Sequence, residues 1–244
     1  MAAIEINNLT KQYKERPVVN SLDFSIEEGE FFALLGENGA GKTTLISMLC
    51  CLLAPTAGDA FVLGNSIRTG ADTVKQKMNI SPQETAVAPN LTIRENLELI
   101  AGIYGSSKKE AKERATEMLQ TFGLTERQKD KAKTLSGGMQ RRLSIAMGLI
   151  TNPQILFLDE PTLGLDVRSR RELWATLSKL KSKMTIVLTT HYLEEAEALA
   201  DRICILQKGS IKAIGTAEQM KKNTNTTSFE EAFLTICDQE VTYA

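Results

Sequence analysis

The stretch that decides the fold is "EFFALLGENGAGKTTLISML", residues 30–49. An apolar run opens it, thins to Gly36, Gly39, Ala40 and Gly41 around Asn38, and resumes as a second apolar run behind Lys42-Thr43-Thr44. "FFALL" shows no alternation between apolar and polar positions, which predicts a strand buried on both faces. "TTLISMLCCLL" is long enough for a helix and stops before Pro55, where a proline would break one. Strand, glycine loop and helix therefore follow one another.

The loop carries G-x-x-x-x-G-K-[ST] as Gly36, Gly41, Lys42 and Thr43. In such a loop, Gly36, Glu37, Asn38, Gly39, Ala40 and Gly41 turn successive backbone N–H groups toward one point. The following helix adds its positive end. Lys42 reaches β- and γ-phosphates, and Thr43 ligates magnesium. The expected ligand is a nucleoside triphosphate.

Strands and helices alternate outward from this point. "AIEINNL" and "SLDFSI" read as strands with a partly exposed face, separated by polar turns such as "EEGE". From about Leu91 to Ile150 the character is helical. "SSKKEAKERATEMLQTFG" has a capping box in Ser107 and Glu110 and a terminating Gly123. Beyond it, "QILFLDE" and "MTIVLTTH" read as strands, "RRELWATLSKLK" and "YLEEAEALAD" as helices, and "RICILQKGSIKAIG" as a hairpin turning at Lys208-Gly209. This order predicts an α/β fold with a mainly parallel sheet, an N-terminal antiparallel β subdomain and an inserted α-helical subdomain.

With 244 residues, 42% of them hydrophobic, the chain can bury a large core. Twenty-nine basic against thirty acidic residues leave no positive field to recruit nucleic acid. Cys50, Cys51, Cys204 and Cys237 show neither metal spacing nor a redox pair, and are read as reduced residues of a cytosolic chain. The N-terminus lacks a signal-peptide pattern, and no window reaches the length of uncharged apolar residues that spans a bilayer. A soluble protein is expected, with any membrane role exercised through a partner.

Two further strand ends carry chemistry. "ILFLDEP" places Asp159 where it can hold a magnesium shell, and Glu160 one residue further out, where it can accept a proton from an attacking water. His191, the one histidine, directly follows "TIVLTT" at another strand end. In "TLSGGMQRRLSIAMGLI", Ser136-Gly137-Gly138 precedes a helical stretch and offers a second anion site at a helix N-terminus.

In this order, the glycine loop, Gln83 in "SPQE", Leu135 to Gln140, Asp159-Glu160, Asp166 in "PTLGLD" and His191 closely resemble the nucleotide-binding subunit of ABC transporters. The resemblance covers nearly the whole chain. The signature reads LSGGM where LSGGQ is commonest, with the glutamine at position 140. It implies a P-loop NTPase core with its β subdomain in 1–84 and 151–215, a helical signature subdomain in 85–150, and a helical tail in 216–244.

The resemblance further implies ATP and Mg2+ as ligands and a head-to-tail homodimer with ATP at the interface. Tyr13 would stack on adenine, while Lys42, Thr43 and Thr44 would bind phosphate and magnesium. Gln83 would sense the γ-phosphate, join the metal site and couple to the permease. Ser136, Gly137 and Gly138 would reach the partner's ATP, and Asp166 would cross the interface. Asp159 would hold magnesium, Glu160 would be the general base, and His191 would contact the γ-phosphate. A separate polytopic membrane permease would dock around residues 83–97, holding the subunit on the cytoplasmic face of the cell membrane. "EPTLGLDVRSRRELW" and "LTTHYLEEAEALADRICIL" look most like the drug-resistance, antibiotic and lipid exporter subgroup. The alternatives are a soluble ABC ATPase working on ribosomes or DNA, against which stand the single cassette and the absence of a heptad array or basic excess, and a scaffold with a decayed site.

Overall fold

The computed structural model describes residues 1–238; the last six residues of the tail segment, 239–244, lie outside the described residues. A long antiparallel hairpin, β1 (Ala2–Tyr13) and β2 (Arg16–Glu27), opens the chain. β3 (Phe31–Leu35) follows, with all five residues buried as the unbroken apolar run predicts. The helix behind the glycine loop, α1 (Lys42–Leu49), is shorter than expected. Cys51 takes a left-handed φ of 55°, and the N–H groups of Leu52 and Leu53 both donate to Ser47 O, at 2.8 and 3.1 Å. The chain turns there, well before Pro55.

β4 (Ala57–Val62), β5 (Asn65–Ser66), α2 (Ala71–Lys77) and β6 (Met78–Ser81) come next. Three helices then form the insert: α3 (Ile93–Ile103), α4 (Lys108–Thr121) and α5 (Gly137–Leu149). The expected capping box is present, with Ser107 and Glu110 exchanging bonds of 2.8 and 3.3 Å, and Gly123 takes φ 66° after the last turn. The remainder is β7 (Ile155–Asp159), α6 (Val167–Ser178), β8 (Thr185–Thr190), α7 (Leu193–Leu199), β9 (Arg202–Gln207), β10 (Ser210–Gly215), α8 (Ala217–Thr224) and α9 (Phe229–Asp238).

Two sheets organise these elements. The first, β2-β1-β4-β5, is antiparallel. The second runs β10-β9-β3-β8-β7-β6, parallel at every pairing except the β9/β10 hairpin at its edge. Strand period divides the core between its faces. Phe31, Ala33 and Leu35 of β3 point with Leu156, Leu158, Ile186 and Leu188 toward the helical insert and the C-terminal helices. Phe32 and Leu34 point with Ile155, Phe157 and Val187 toward α1 and the antiparallel sheet. A strand covered on both sides must be apolar at consecutive positions, which is why the central strands lack alternation.

Candidate active site

The C-terminal ends of the adjacent parallel strands β3, β8 and β7 bring the glycine loop, His191 and Asp159-Glu160 to one edge of the sheet. A cleft of about 380 Å³ opens there, lined by Glu37 to Thr44, Gln83, Glu160, Leu163 and His191, with Val18 from β2.

Close backbone approach dictates two of the loop glycines. A Cβ on Gly36 would meet Leu206 O at 2.2 Å. Gly41, at φ 106°, would place one 2.5 Å from Val18 O. The cradle therefore rests on β9 and β2, and side chains at these positions would push it off both.

Lys42 is buried at 6% exposure and donates to Gly36 O at 2.6 Å and Glu37 O at 3.2 Å. Its Nζ also lies 3.3 Å from Glu160 Oε1. The other carboxylate oxygen of Glu160, Oε2, is 2.8 Å from His191 Nδ1. Glu160 has a positive φ of 47°, a conformation uncommon for a residue with a Cβ. Its N–H is held by Thr189, at 3.0 Å to the hydroxyl and 3.2 Å to the carbonyl. The Thr189 hydroxyl donates in turn to Asp159 Oδ1, which also accepts from Thr43 Oγ1 at 3.4 Å.

Arg141, on the buried face of α5, ties this edge together. Its guanidinium donates to Pro161 O and Asp159 O, each at 2.8 Å, to Gln83 O at 3.4 Å, and to Pro82 O. Burial lowers its pKa to about 10, against the opposing pull of Asp159, Glu195 and Glu160. One side chain thus fixes the segments carrying Gln83, Asp159 and Glu160 relative to the helix that starts at Ser136.

Several expected site residues lie apart from the cleft. Tyr13 is exposed, with Lys11 Nζ 5.3 Å from its ring centroid, and Val18 rather than Tyr13 lines the cleft wall. Ser136 N-caps α5, accepting from Met139 N at 3.4 Å, and Ser136 and Gly137 are exposed outside the cleft. Asp166 N-caps α6, bonded to Ser169 N at 2.9 Å and Ser169 Oγ at 2.7 Å. Those bonds hold its carboxyl below its ordinary pKa. Gly138 packs against the same helix, since a Cβ there would sit 3.0 Å from Ser169 Oγ.

Sequence reasoning missed Arg141, Thr189 and Val18. Arg141 shares a helical face with Ile145 and Gly148, so a charge in that apolar stripe was the available signal. Thr189 lies within an apolar strand, and nothing local marks Val18.

Thr43 and Asp159 offer hard oxygen donors 3.4 Å apart, and Gln83 lines the same cleft as Thr43. This set, one carboxylate with a hydroxyl and an amide oxygen, fits Mg2+, which takes one or two carboxylates and keeps the rest of its shell for water, phosphate and other oxygens.

A family profile described as ABC transporter matches residues 19–163. The chain belongs to the ABC transporter family. This ABC cassette is 45% identical over 214 residues to the linearmycin resistance ATP-binding protein LnrL of Bacillus subtilis (strain 168), covering 87% of the chain and 69% of LnrL. It is 42% identical over 222 residues to the daunorubicin/doxorubicin resistance ATP-binding protein DrrA of Streptomyces peucetius, covering 91% of the chain and 67% of DrrA. Among solved structures it is similar, at 29% identity and a TM-score of 0.79, to the ATP-binding cassette MJ0796, a dimer in a post-hydrolysis state bound to ADP and Pi. That match covers 87% of the ABC cassette and 98% of MJ0796. No helix among the described residues is long and apolar enough to cross a membrane.

Proposed function

We propose that the chain binds ATP in the cleft over the glycine loop, hydrolyses it with Glu160 as general base, and drives a separate membrane permease that exports its cargo. The observation that carries this reading is the placement of Glu160 at the end of β7, between Lys42 and His191 and facing the loop. A carboxylate there is positioned to orient a water and take its proton.

The loop N–H groups and Lys42 bind the phosphates, Thr44 adds a hydroxyl, and His191 contacts the γ-phosphate. Thr43, Asp159 and Gln83 would hold Mg2+, which neutralises charge on the phosphate oxygens. Tyr13, outside the cleft's lining, would stack on the adenine.

The Ser136-Gly137-Gly138 turn, exposed at its first two residues, and the exposed Asp166 gain a ligand when a second copy stacks head to tail, so that one chain's signature closes the other's cleft. The exposure of Leu163 and Val167, on either side of Asp166, supports an interface there. The dimeric MJ0796 provides the precedent.

Permease docking fits a shallow hollow of about 130 Å³ lined by Ile80, Pro82, Ala86, Ile100 and Tyr104, beside the exposed Leu99 and Ile103 of α3. The hollow begins at the Gln83 segment, so a partner seated in it touches the strand that leads to the nucleotide. Export agrees with the resistance roles for which LnrL and DrrA are named. The subunit then lies on the cytoplasmic face of the membrane, with its core in 1–84 and 151–215, the signature subdomain in 85–150 and the tail in 216–244.

The test is co-purification of tagged Glu160→Gln protein from native membranes with and without ATP and magnesium. A polytopic membrane protein in the eluate is expected. Ribosomal proteins or DNA in its place would overturn the transport reading.

A further inference from the structure

Outside the cleft, the helix that begins at Asp166 is tied to two other elements of the site. On one side, Glu172 of α6 pairs with Arg142 of α5, the helix capped by Ser136. On the other, Trp174 Nε1 donates to Glu195 Oε1 of α7 at 2.9 Å. Arg170 lies between rings, with its guanidinium carbon 5.6 Å from the Trp174 centroid and 5.4 Å from that of Tyr192. Tyr192 directly follows His191, and the two rings are 4.1 Å apart.

Glu195 is 0% exposed, and a carboxyl is rarely buried that deeply without a task. It does not line the cleft. Its Oε2 makes no well-formed hydrogen bond, and neither does the buried Oγ1 of Thr162, although the Thr190 and Thr162 hydroxyls face this carboxyl. Thr190 immediately precedes His191, and Thr162 follows Glu160-Pro161. Three chain segments with site residues therefore converge on one buried side chain.

We propose that Glu195 is a positioning residue of the ATPase cycle: through the bond it accepts from Trp174 it locks the Asp166 helix to the helix that follows His191, so that both shift together. The inference rests on the ATPase reading above. A hydrogen-bonded lock of this kind fixes the orientation of the groups it carries, and its loss lowers turnover more than nucleotide affinity. Burial also pushes the Glu195 carboxyl up from its ordinary pKa, and the charge of Glu160 pushes the same way. A carboxamide keeps an oxygen in place to accept from Trp174 Nε1, so Glu195→Gln should substitute for it.

Steady-state ATPase assays on Glu195→Ala, Glu195→Gln and Trp174→Phe test this. Glu195→Ala and Trp174→Phe should each lower kcat about tenfold with KM for ATP within about twofold, and the double variant should be no worse than either single one. Glu195→Gln should restore most of kcat. Trp174 is the only tryptophan, so its emission in the wild-type protein should change on adding ATP and lose that change in Glu195→Ala. Trp174→Phe keeps an aromatic ring and removes the pyrrole half that carries the donor, so it informs even if the alanine variant folds poorly.

Wild-type kcat in Trp174→Phe, or a parallel loss of kcat, ATP affinity and thermal stability in Glu195→Ala and Glu195→Gln alike, would overturn the inference. A wild-type protein that binds no ATP would overturn the ATPase reading itself.

Discussion

His191 Nδ1 lies 2.8 Å from Glu160 Oε2, while the other oxygen of the same carboxylate is 3.3 Å from Lys42 Nζ. One buried carboxylate is thus flanked by two nitrogen groups, one from the first residue of α1 and one from the residue that follows β8. Such a pair of contacts orients a base.

Glu160→Gln keeps the shape and removes the basicity. ATP binding should persist while turnover falls by roughly two or more orders of magnitude, the scale of losing a general base. His191→Ala should also cripple hydrolysis and retain binding. Single-turnover assays beside nucleotide titration separate the two; near-normal turnover in Glu160→Gln would remove the assignment.

Gly41→Ala tests the cradle. The residue sits at φ 106° with Val18 O 2.5 Å from the new methyl, so backbone strain of about 1–3 kcal/mol is expected together with loss of ATP binding. Calorimetric titration with MgATP reads the loss, and unchanged affinity would show that the loop can move off β2 without consequence.

Arg141→Met keeps much of the volume and leaves the Pro82, Asp159 and Pro161 carbonyls without their donor. Stability should fall by about 3 kcal/mol in urea unfolding. Arg141→Lys should recover less than half, because one ammonium cannot serve carbonyls on opposite sides of a guanidinium. A variant within about 1 kcal/mol of wild type would show the hub to be dispensable.

Acid should weaken the fold. Glu95 and Glu110 are held below their ordinary pKa by the N–H groups they cap, Asp166 and Glu231 by local backbone donors, and Glu172 chiefly by Arg142. A carboxyl depressed in the folded state adds stability above its unfolded pKa, and that stability is lost as pH falls through the folded value. Glu195, raised by burial, acts in the opposite direction but alone among these six. The urea midpoint should drop between about pH 6 and about pH 3, and a flat or rising midpoint would contradict the balance.

Residues that carry their own local signal could be read without coordinates. Gly36 to Thr43 announce an anion cradle, Ser107 and Glu110 announce a helix start, and the unbroken "FFALL" announces a central strand. The segment from β4 to β6 did not announce itself, because its short strands are only half-buried and its small helix buries Val74 alone. The length of α1 was misjudged because the apolar run continues past the turn at Cys51, and nothing in residue type marks a non-glycine residue that adopts positive φ. Arg141 was overlooked for a related reason: its partners are backbone carbonyls from distant segments, which leave no trace in side-chain pattern.

The placement of β3 has a consequence for how the chain comes off the ribosome. Its neighbours on both edges, β8 and β9, pair through Phe31 with Ile186 and through Phe32 with Arg202, so they are synthesised only once the chain has grown past residue 184. Until then "FFALL" is an apolar strand with two open edges, while the β1/β2 hairpin beside it can already close. Early termination or stalled translation before residue 185 therefore yields a nascent chain with a ready aggregation seed, and only β8 and β9 bury its edges.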